Sequence, residues 1–156
     1  MITTIEQLKN QDLEHPVVVT SGGFDPLHVG HLRCLLEASK LGKTLIIVVN
    51  GDGFLMRKKG FTFMKEVDRM EIIDSIKGVD YVVPWDDESQ FVSGAIEQLK
   101  PDIFAKGGDR DKPENIPEWD VCQKVNCEVV FGVGGGKIRS SSELVEEAKL
   151  KELENS

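Results

Sequence analysis

Two histidines, His28 and His31, stand three residues apart in the stretch Ser21-Gly22-Gly23-Phe24-Asp25-Pro26-Leu27-His28-Val29-Gly30-His31. If a helix begins there, both imidazoles share one of its faces. A helix start carries unpaired N–H groups that already attract an anion, and two imidazole donors beside them would hold the oxygens of a phosphate chain. Gly22 and Gly23 let the backbone come close to a ligand, and Gly30 removes a side chain that would crowd the pair. The same residues also admit a plain βα turn with two partly exposed histidines. A zinc pair is a third reading, but the nearby cysteines and carboxylates form no recognised ligand spacing. The dinucleotide fingerprint GxGxxG is absent.

Three other stretches carry comparable chemistry. Met56-Arg57-Lys58-Lys59-Gly60 is a cationic cluster that would clamp phosphates, unless it is simply a solvated basic turn. Lys106-Gly107-Gly108-Asp109 has the composition of a loop that closes over a nucleotide, and equally of a surface turn. Gly132-Val133-Gly134-Gly135-Gly136-Lys137-Ile138-Arg139-Ser140-Ser141-Ser142 ends in serines that would cap a helix. Capping and anion binding are compatible there, because hydroxyls and free N–H groups converge at the same end.

These stretches need elements to place them. Short, β-branched runs at 16–20 and 44–49, with weaker ones at 80–83, 102–105 and 128–131, predict strands buried on both faces. Helical patterns lie between them. Leu32, Leu35, Leu36 and Leu41 share a face over about 29–41, ended by Gly42. Met70, Ile72, Ile73 and Ile76 do so over 66–77, Phe91 to Leu99 form a third helix stopped by Pro101, and 141–153 forms the last. Strand–helix alternation with right-handed crossovers builds a five-stranded, doubly wound parallel sheet of the α/β, Rossmann-like class. A short helix over about 4–13 lies outside it, so that 1–14 precede a single catalytic core over 15–156. Ligands of such sheets bind beyond the carboxyl ends of the strands, where the chemistry-bearing stretches fall.

Composition narrows the partners. Nineteen basic residues against 27 acidic ones leave a net charge of −8, which disfavours general attraction to nucleic acid and makes any phosphate cradle a local exception. No run of 18 apolar residues exists to span a membrane, and no secretory pattern opens the chain. Three cysteines (Cys34, Cys122, Cys127) form neither a CxxC pair nor a closed disulfide set, which points to the cytoplasm.

The string GGFDPLHVGH, followed by an amphipathic helix ending Lys40-Leu41-Gly42, resembles the HxGH nucleotidyltransferase superfamily. Within it the similarity, running from about Val17 to Val145, is closest to small cytidylyltransferase-like members. The resemblance implies that Gly22, Gly23, Phe24, Asp25 and Gly30 line the nucleotide site together with Lys106, Gly107, Gly108 and Asp109. It gives Arg139, Ser140, Ser141 and Ser142 the pyrophosphate, and makes Lys58, Lys59 and Arg69 the cations on a lysine-rich loop and the next helix. Phe61-Thr62-Phe63 departs from relatives that carry a basic residue and proline there. KGGD followed by KPExIPE is similar to the adenylyltransferases that act on heptose 1-phosphate.

The reaction so implied is attack by the phosphate of a small-molecule acceptor on the α-phosphorus of a nucleoside triphosphate, with ATP favoured and pyrophosphate leaving. His28 and His31 would stabilise charge growing on the α-phosphoryl oxygens. A Mg²⁺ ion would arrive with the triphosphate, helped by Asp25, since magnesium keeps several waters and few protein ligands. The relatives are usually homodimers. Rival readings are a CTP-dependent transferase for glycerol 3-phosphate or a related phospho-alcohol, an FMN adenylyltransferase, and a nucleotide-binding regulatory module without turnover.

Overall fold

The computed structural model describes residues 1–87, 91–107, 116–135 and 148–152. Its first half runs α1 (Ile5–Lys9), β1 (Val17–Gly22), α2 (Val29–Ser39), β2 (Thr44–Asn50), α3 (Asp52–Lys59) and α4 (Glu66–Asp74). It continues with β3 (Tyr81–Trp85), α5 (Ser93–Leu99), β4 (Ile103–Gly107), α6 (Trp119–Lys124) and β5 (Glu128–Val133). The five strands form one sheet in the order β3-β2-β1-β4-β5, all neighbours parallel. The doubly wound parallel sheet anticipated from the apolar runs is therefore present. Strand order reverses between β1 and β4, which fixes where a ligand crevice opens.

Alternate residues of the same strands serve opposite layers. Val17, Val19, Ile46 and Val48 join Phe104 in a core covered by α1, α5 and α6. Val18, Leu45, Ile47 and Val49 join Leu35, Met70 and Ile73 in the core beneath α2 and α4. Every residue of β2 is buried, which is why its sequence reads as a continuous apolar run rather than an alternating one. Leu32 and Ile72, expected on the buried helix faces, are exposed instead. Leu35, Ala38, Met70 and Ile73 are the buried apolar residues of these helices, with Cys34, Leu41 and Ile76 packed beside them.

Two differences from the sequence pattern matter for the site. The ladder between β1 and β2 continues through Ser21↔Val48 and Gly22↔Val49, so the strands run on to Gly22 and Asn50. Ser21 and Asn50 are thus strand ends, not loop residues. The basic cluster after β2 is helical, not a loop: Phe54 and Leu55 are buried, Arg57, Lys58 and Lys59 fill the last turn, and Gly60 ends it at φ 86°. Cations there complement the carbonyl end of the helix, and a left-handed glycine is the common way to leave one. The helix expected over 141–153 lies mainly outside the described residues, of which 148–152 are helical.

Gly42 does more than follow a helix. A Cβ at this position would lie 2.4 Å from the Pro16 carbonyl oxygen and 2.8 Å from Val18 Cγ2. That carbonyl already accepts from the N–H groups of Lys43 and Thr44, at 2.9 and 3.3 Å, so the backbone has little freedom to retreat. Gly42→Ala is expected to lower stability by about 1–3 kcal/mol, the usual cost of overpacking, as read from the midpoint of urea unfolding.

Candidate active site

A cleft of about 330 Å³ opens at the carboxyl edge of the sheet, at the β1/β4 reversal. Gly22 and Gly23 floor it from β1, Asn50 reaches it from β2, and Lys106 from β4. Phe54 and Lys58 wall it from α3, and Glu118 closes the side next to α6. Gly22 permits this geometry through a specific neighbour: a Cβ there would stand 3.2 Å from the tip of the Phe24 ring. A larger cleft of about 570 Å³ lies at the other edge of the sheet, by His15 and Val17. No glycine loop borders that one, and His15 is held there by Asp102 at 2.6 Å.

At the start of α2 the histidines cap their own helix. His28 is the N-cap residue, and its Nδ1 accepts from the Gly30 N–H at 3.1 Å. The His28 N–H in turn donates to His31 Nδ1 at 3.3 Å. This is the reciprocal arrangement usually made by Ser or Thr with Glu, here built from two imidazoles. With both Nδ1 atoms accepting, each ring carries its hydrogen on Nε2, as a donor. The rings stack with centroids 3.9 Å apart, and Phe24 meets His31 edge-on at 5.0 Å. Phe24 adopts a left-handed backbone (φ 53°), unusual for a residue with a bulky side chain, to bring its ring under His31. Burial, and then the charge of His28, pull the His31 pKa down to about 4. His31 is therefore a neutral hydrogen-bond donor at physiological pH, not a cation.

Behind the cleft lies a buried guanidinium. Arg69 has no exposure to solvent. Its Nη1 donates to the carbonyls of Gly23 and Asn50, both at 2.6 Å, its Nε to the carbonyl of Met64 at 3.0 Å, and its Nη2 to Asp52 Oδ1 at 2.8 Å. The same Asp52 oxygen accepts from the Glu66 N–H at 3.0 Å, while Glu66 Oε1 accepts from the Asp52 N–H at 3.2 Å. Each of these acids opens one helix and satisfies the free N–H at the start of the other. Arg69, expected as a phosphate clamp, is thus spent on tying the β1 loop, the end of β2 and the starts of α3 and α4 together.

Asp25 and Lys59 are committed in a similar way. Asp25 is buried, and its carboxylate accepts from the N–H groups of Phe63 (2.7 Å) and Met64 (2.5 Å). Lys59 Nζ donates to the Asp25 carbonyl at 3.1 Å, stands 3.5 Å from Asp25 Oδ2 and lies over the Phe61 ring at 5.1 Å. Lys58 is the lysine that faces the cleft, its Nζ 6.0 Å from the centre of the Phe54 ring. Asp25, so engaged, does not fit as a magnesium ligand, and among the described residues no three His, Cys, Asp or Glu side chains converge on a metal-sized space.

The structure therefore gathers Gly22, Gly23, Lys58 and Lys106 around one cleft and sets His28, His31 and Phe24 at the neighbouring helix start. Gly107 lies at the end of β4 against α2, where a Cβ would meet Cys34 Sγ at 2.8 Å. Gly108, Asp109, Arg139, Ser140, Ser141 and Ser142 lie outside the described residues. Asn50 and Glu118 line the cleft without having been assigned a role from sequence. Asn50 had a visible signal, a lone polar residue ending an otherwise apolar strand; Glu118 had one as the last residue of the KPExIPE string.

A parallel sheet with its glycine loop, donor histidines and lysine at the strand-order reversal defines an α/β nucleotidyltransferase-like domain. The chain belongs to the cytidylyltransferase-like family, whose model matches residues 19–146. It is 41% identical over 102 residues to the bifunctional protein HldE of Cronobacter sakazakii (64% of this chain, 21% of that protein). To the bifunctional protein HldE of Syntrophotalea carbinolica it is 35% identical over 134 residues (83% and 26%). It spans about a quarter of the length of these curated relatives. A lipopolysaccharide core biosynthesis protein from Thermoplasma volcanium has a similar structure, with TM-score 0.60 and 28% identity over 74% of this chain and 93% of that one. The pantoate-beta-alanine ligase of Francisella tularensis shares the fold at TM-score 0.63 and 14% identity, covering 90% of this chain and 68% of that chain.

The lowered His31 pKa makes acid destabilising. Between the ordinary histidine value of 6.5 and about 4 the unfolded chain binds the proton and the folded chain does not, so stability falls as pH drops through this window. The loss approaches ~1.4 kcal/mol per pH unit inside it and ceases below. Nitrogen-15 NMR should show His31 titrating near 4, with Nε2 protonated at pH 7. Arg69→Met strands three carbonyls and Asp52, and is expected to cost about 3–5 kcal/mol by urea unfolding, in line with breaking other buried ion pairs.

Proposed function

We propose that the protein transfers a nucleoside monophosphate from a nucleoside triphosphate, ATP by preference, to heptose 1-phosphate or a closely similar sugar phosphate. The observation that carries this reading is the neutral His31 imidazole stacked on His28 at the start of α2, with each Nδ1 held by a backbone N–H. The glycine-floored cleft with Lys58 and Lys106 is linked to them through Gly22, which lies beside the Phe24 ring that meets His31. The similarity to the HldE proteins and the KGGD…KPExIPE string support the choice of acceptor.

In the reaction, an oxygen of the acceptor phosphate forms a bond to the α-phosphorus while the bond from that phosphorus to the oxygen bridging to the β-phosphate breaks. Pyrophosphate carries the electron pair away. The acceptor phosphate is already mostly doubly ionised at neutral pH (second pKa ~6), so no side chain has to remove a proton. Rate then comes from positioning and from donors placed where charge grows. The imidazole Nε2–H groups supply such donors without a titration step, because the backbone holds both Nδ1 atoms. Lys58 neutralises a substrate phosphate, and Lys59 acts through Asp25 on the segment that follows α3. A magnesium ion, held by triphosphate oxygens and water, would add charge neutralisation. On the pattern of the resembling enzymes alone, the protein works as a cytoplasmic homodimer.

The test is pyrophosphate release with ATP and heptose 1-phosphate, set against CTP with glycerol 3-phosphate. The first pair is expected to turn over; turnover restricted to the second would sink the reading. His28→Ala should lower kcat by about 100-fold or more, as loss of one oxyanion donor does, with the fold verified by circular dichroism. Lys58→Ala should raise the acceptor KM, because the ammonium would no longer hold the acceptor phosphate in the cleft.

A further inference from the structure

Two buried oxygens in the cleft have no partner among the described residues. Asn50 Oδ1 and Glu118 Oε2 each lie out of contact with solvent and accept no hydrogen bond, although both residues line the same space. Asn50 is 7% exposed and Glu118 5%. The other oxygen of Glu118 accepts a long bond from the Val92 N–H at 3.4 Å. Leaving such groups unpaired is costly, more so for a charge, and a ligand that donates would relieve both.

We infer that Asn50 and Glu118 form the subsite that reads the hydroxyl groups of the phosphorylated acceptor. The chemistry in the cleft selects this ligand class. A carboxylate repels phosphate, so phosphate is not what Glu118 receives. A cationic ligand would meet Lys58 and Lys106, which line the same cleft. Neutral hydroxyls satisfy both oxygens and let the attached phosphate turn towards Lys58. Phe54 and Phe91 supply the apolar surface that the C–H face of a sugar packs against. The volume, about 330 Å³, suits a small polyol phosphate rather than a whole nucleotide. This assignment rests on the transferase reading only for calling its ligand the acceptor.

The experiment measures binding without turnover, then turnover. Glu118→Gln keeps the shape and removes the charge. Calorimetric titration of the wild type with heptose 1-phosphate and mannose 1-phosphate should give affinities about 10-fold or more tighter than titration of the variant, the effect of losing a hydrogen bond to a charged group. A deoxy analogue should bind the wild type about 10-fold or more weakly than its parent sugar does, a comparison that does not involve the variant. Affinity for ATP and CTP should be unchanged. Loss of nucleotide affinity instead would assign these oxygens to the nucleotide ribose and overturn the inference, as would equal sugar phosphate binding by both proteins. Binding that depends on Glu118 with no pyrophosphate released from any triphosphate would leave the subsite standing and remove the transferase reading. Turnover of the sugar phosphate with binding indifferent to Glu118 would do the reverse.

Discussion

The geometry of the cleft depends on one buried cation. Arg69 reaches from α4 to three backbone carbonyls and one carboxylate, and each acceptor belongs to a different edge of the site. A guanidinium is suited to this because its donors lie in a fixed plane and its charge persists at any pH the protein meets. Lysine would bring one point charge and could not span the same acceptors. Only Asp52 answers the charge with a formal one, and that carboxylate is about half exposed. The three carbonyls therefore carry much of the solvation that water would otherwise provide. Their positions, at Gly23, Asn50 and Met64, are consequently fixed relative to one another.

A second constraint acts at α2. A helix start must satisfy its free N–H groups, and here imidazoles satisfy them. The capping geometry decides the tautomers, and the tautomers decide the chemistry: with Nδ1 occupied, only Nε2–H remains to face a ligand. Burial beneath Phe24 then keeps His31 neutral. Structural capping and donation to phosphate oxygens are two uses of one arrangement. A histidine acting as a base would need a free ring nitrogen, which the backbone bonds have removed.

These constraints explain what was legible in the sequence. The strands were readable because β-branched residues buried on both faces leave continuous apolar runs, as in Thr44–Asn50. The α3 helix was not, because its apolar residues Phe54, Leu55 and Met56 are consecutive, so no stripe at helical spacing appears. The site was legible as a set of residues and less so as a set of roles. Spacing and motif identify Asp25, Lys59 and Arg69 as neighbours of the site, but not how many of their hydrogen bonds the fold itself consumes. Asn50 and Glu118 gave the opposite case: their places in the sequence can be noticed, but an unpaired buried oxygen is a property of three-dimensional packing.

The distribution of charge around the cleft follows from the same economy. The chain carries a net charge of −8, so a polyanion is repelled at long range and must be held by local contacts. Arg69 and Lys59 are already engaged by carbonyls and carboxylates, and Arg57 is drawn to Asp86. Lys58 and Lys106 are the lysines set on the cleft walls among the described residues. Placing Glu118 within reach of the same space would weaken phosphate binding if phosphate filled all of it. The inferred acceptor subsite therefore calls for a divided cleft, with phosphate near Lys58 and uncharged donors near Asn50 and Glu118. Such a division also orients the ligand, because reversing it would bring phosphate against Glu118 and leave the lysines facing hydroxyls.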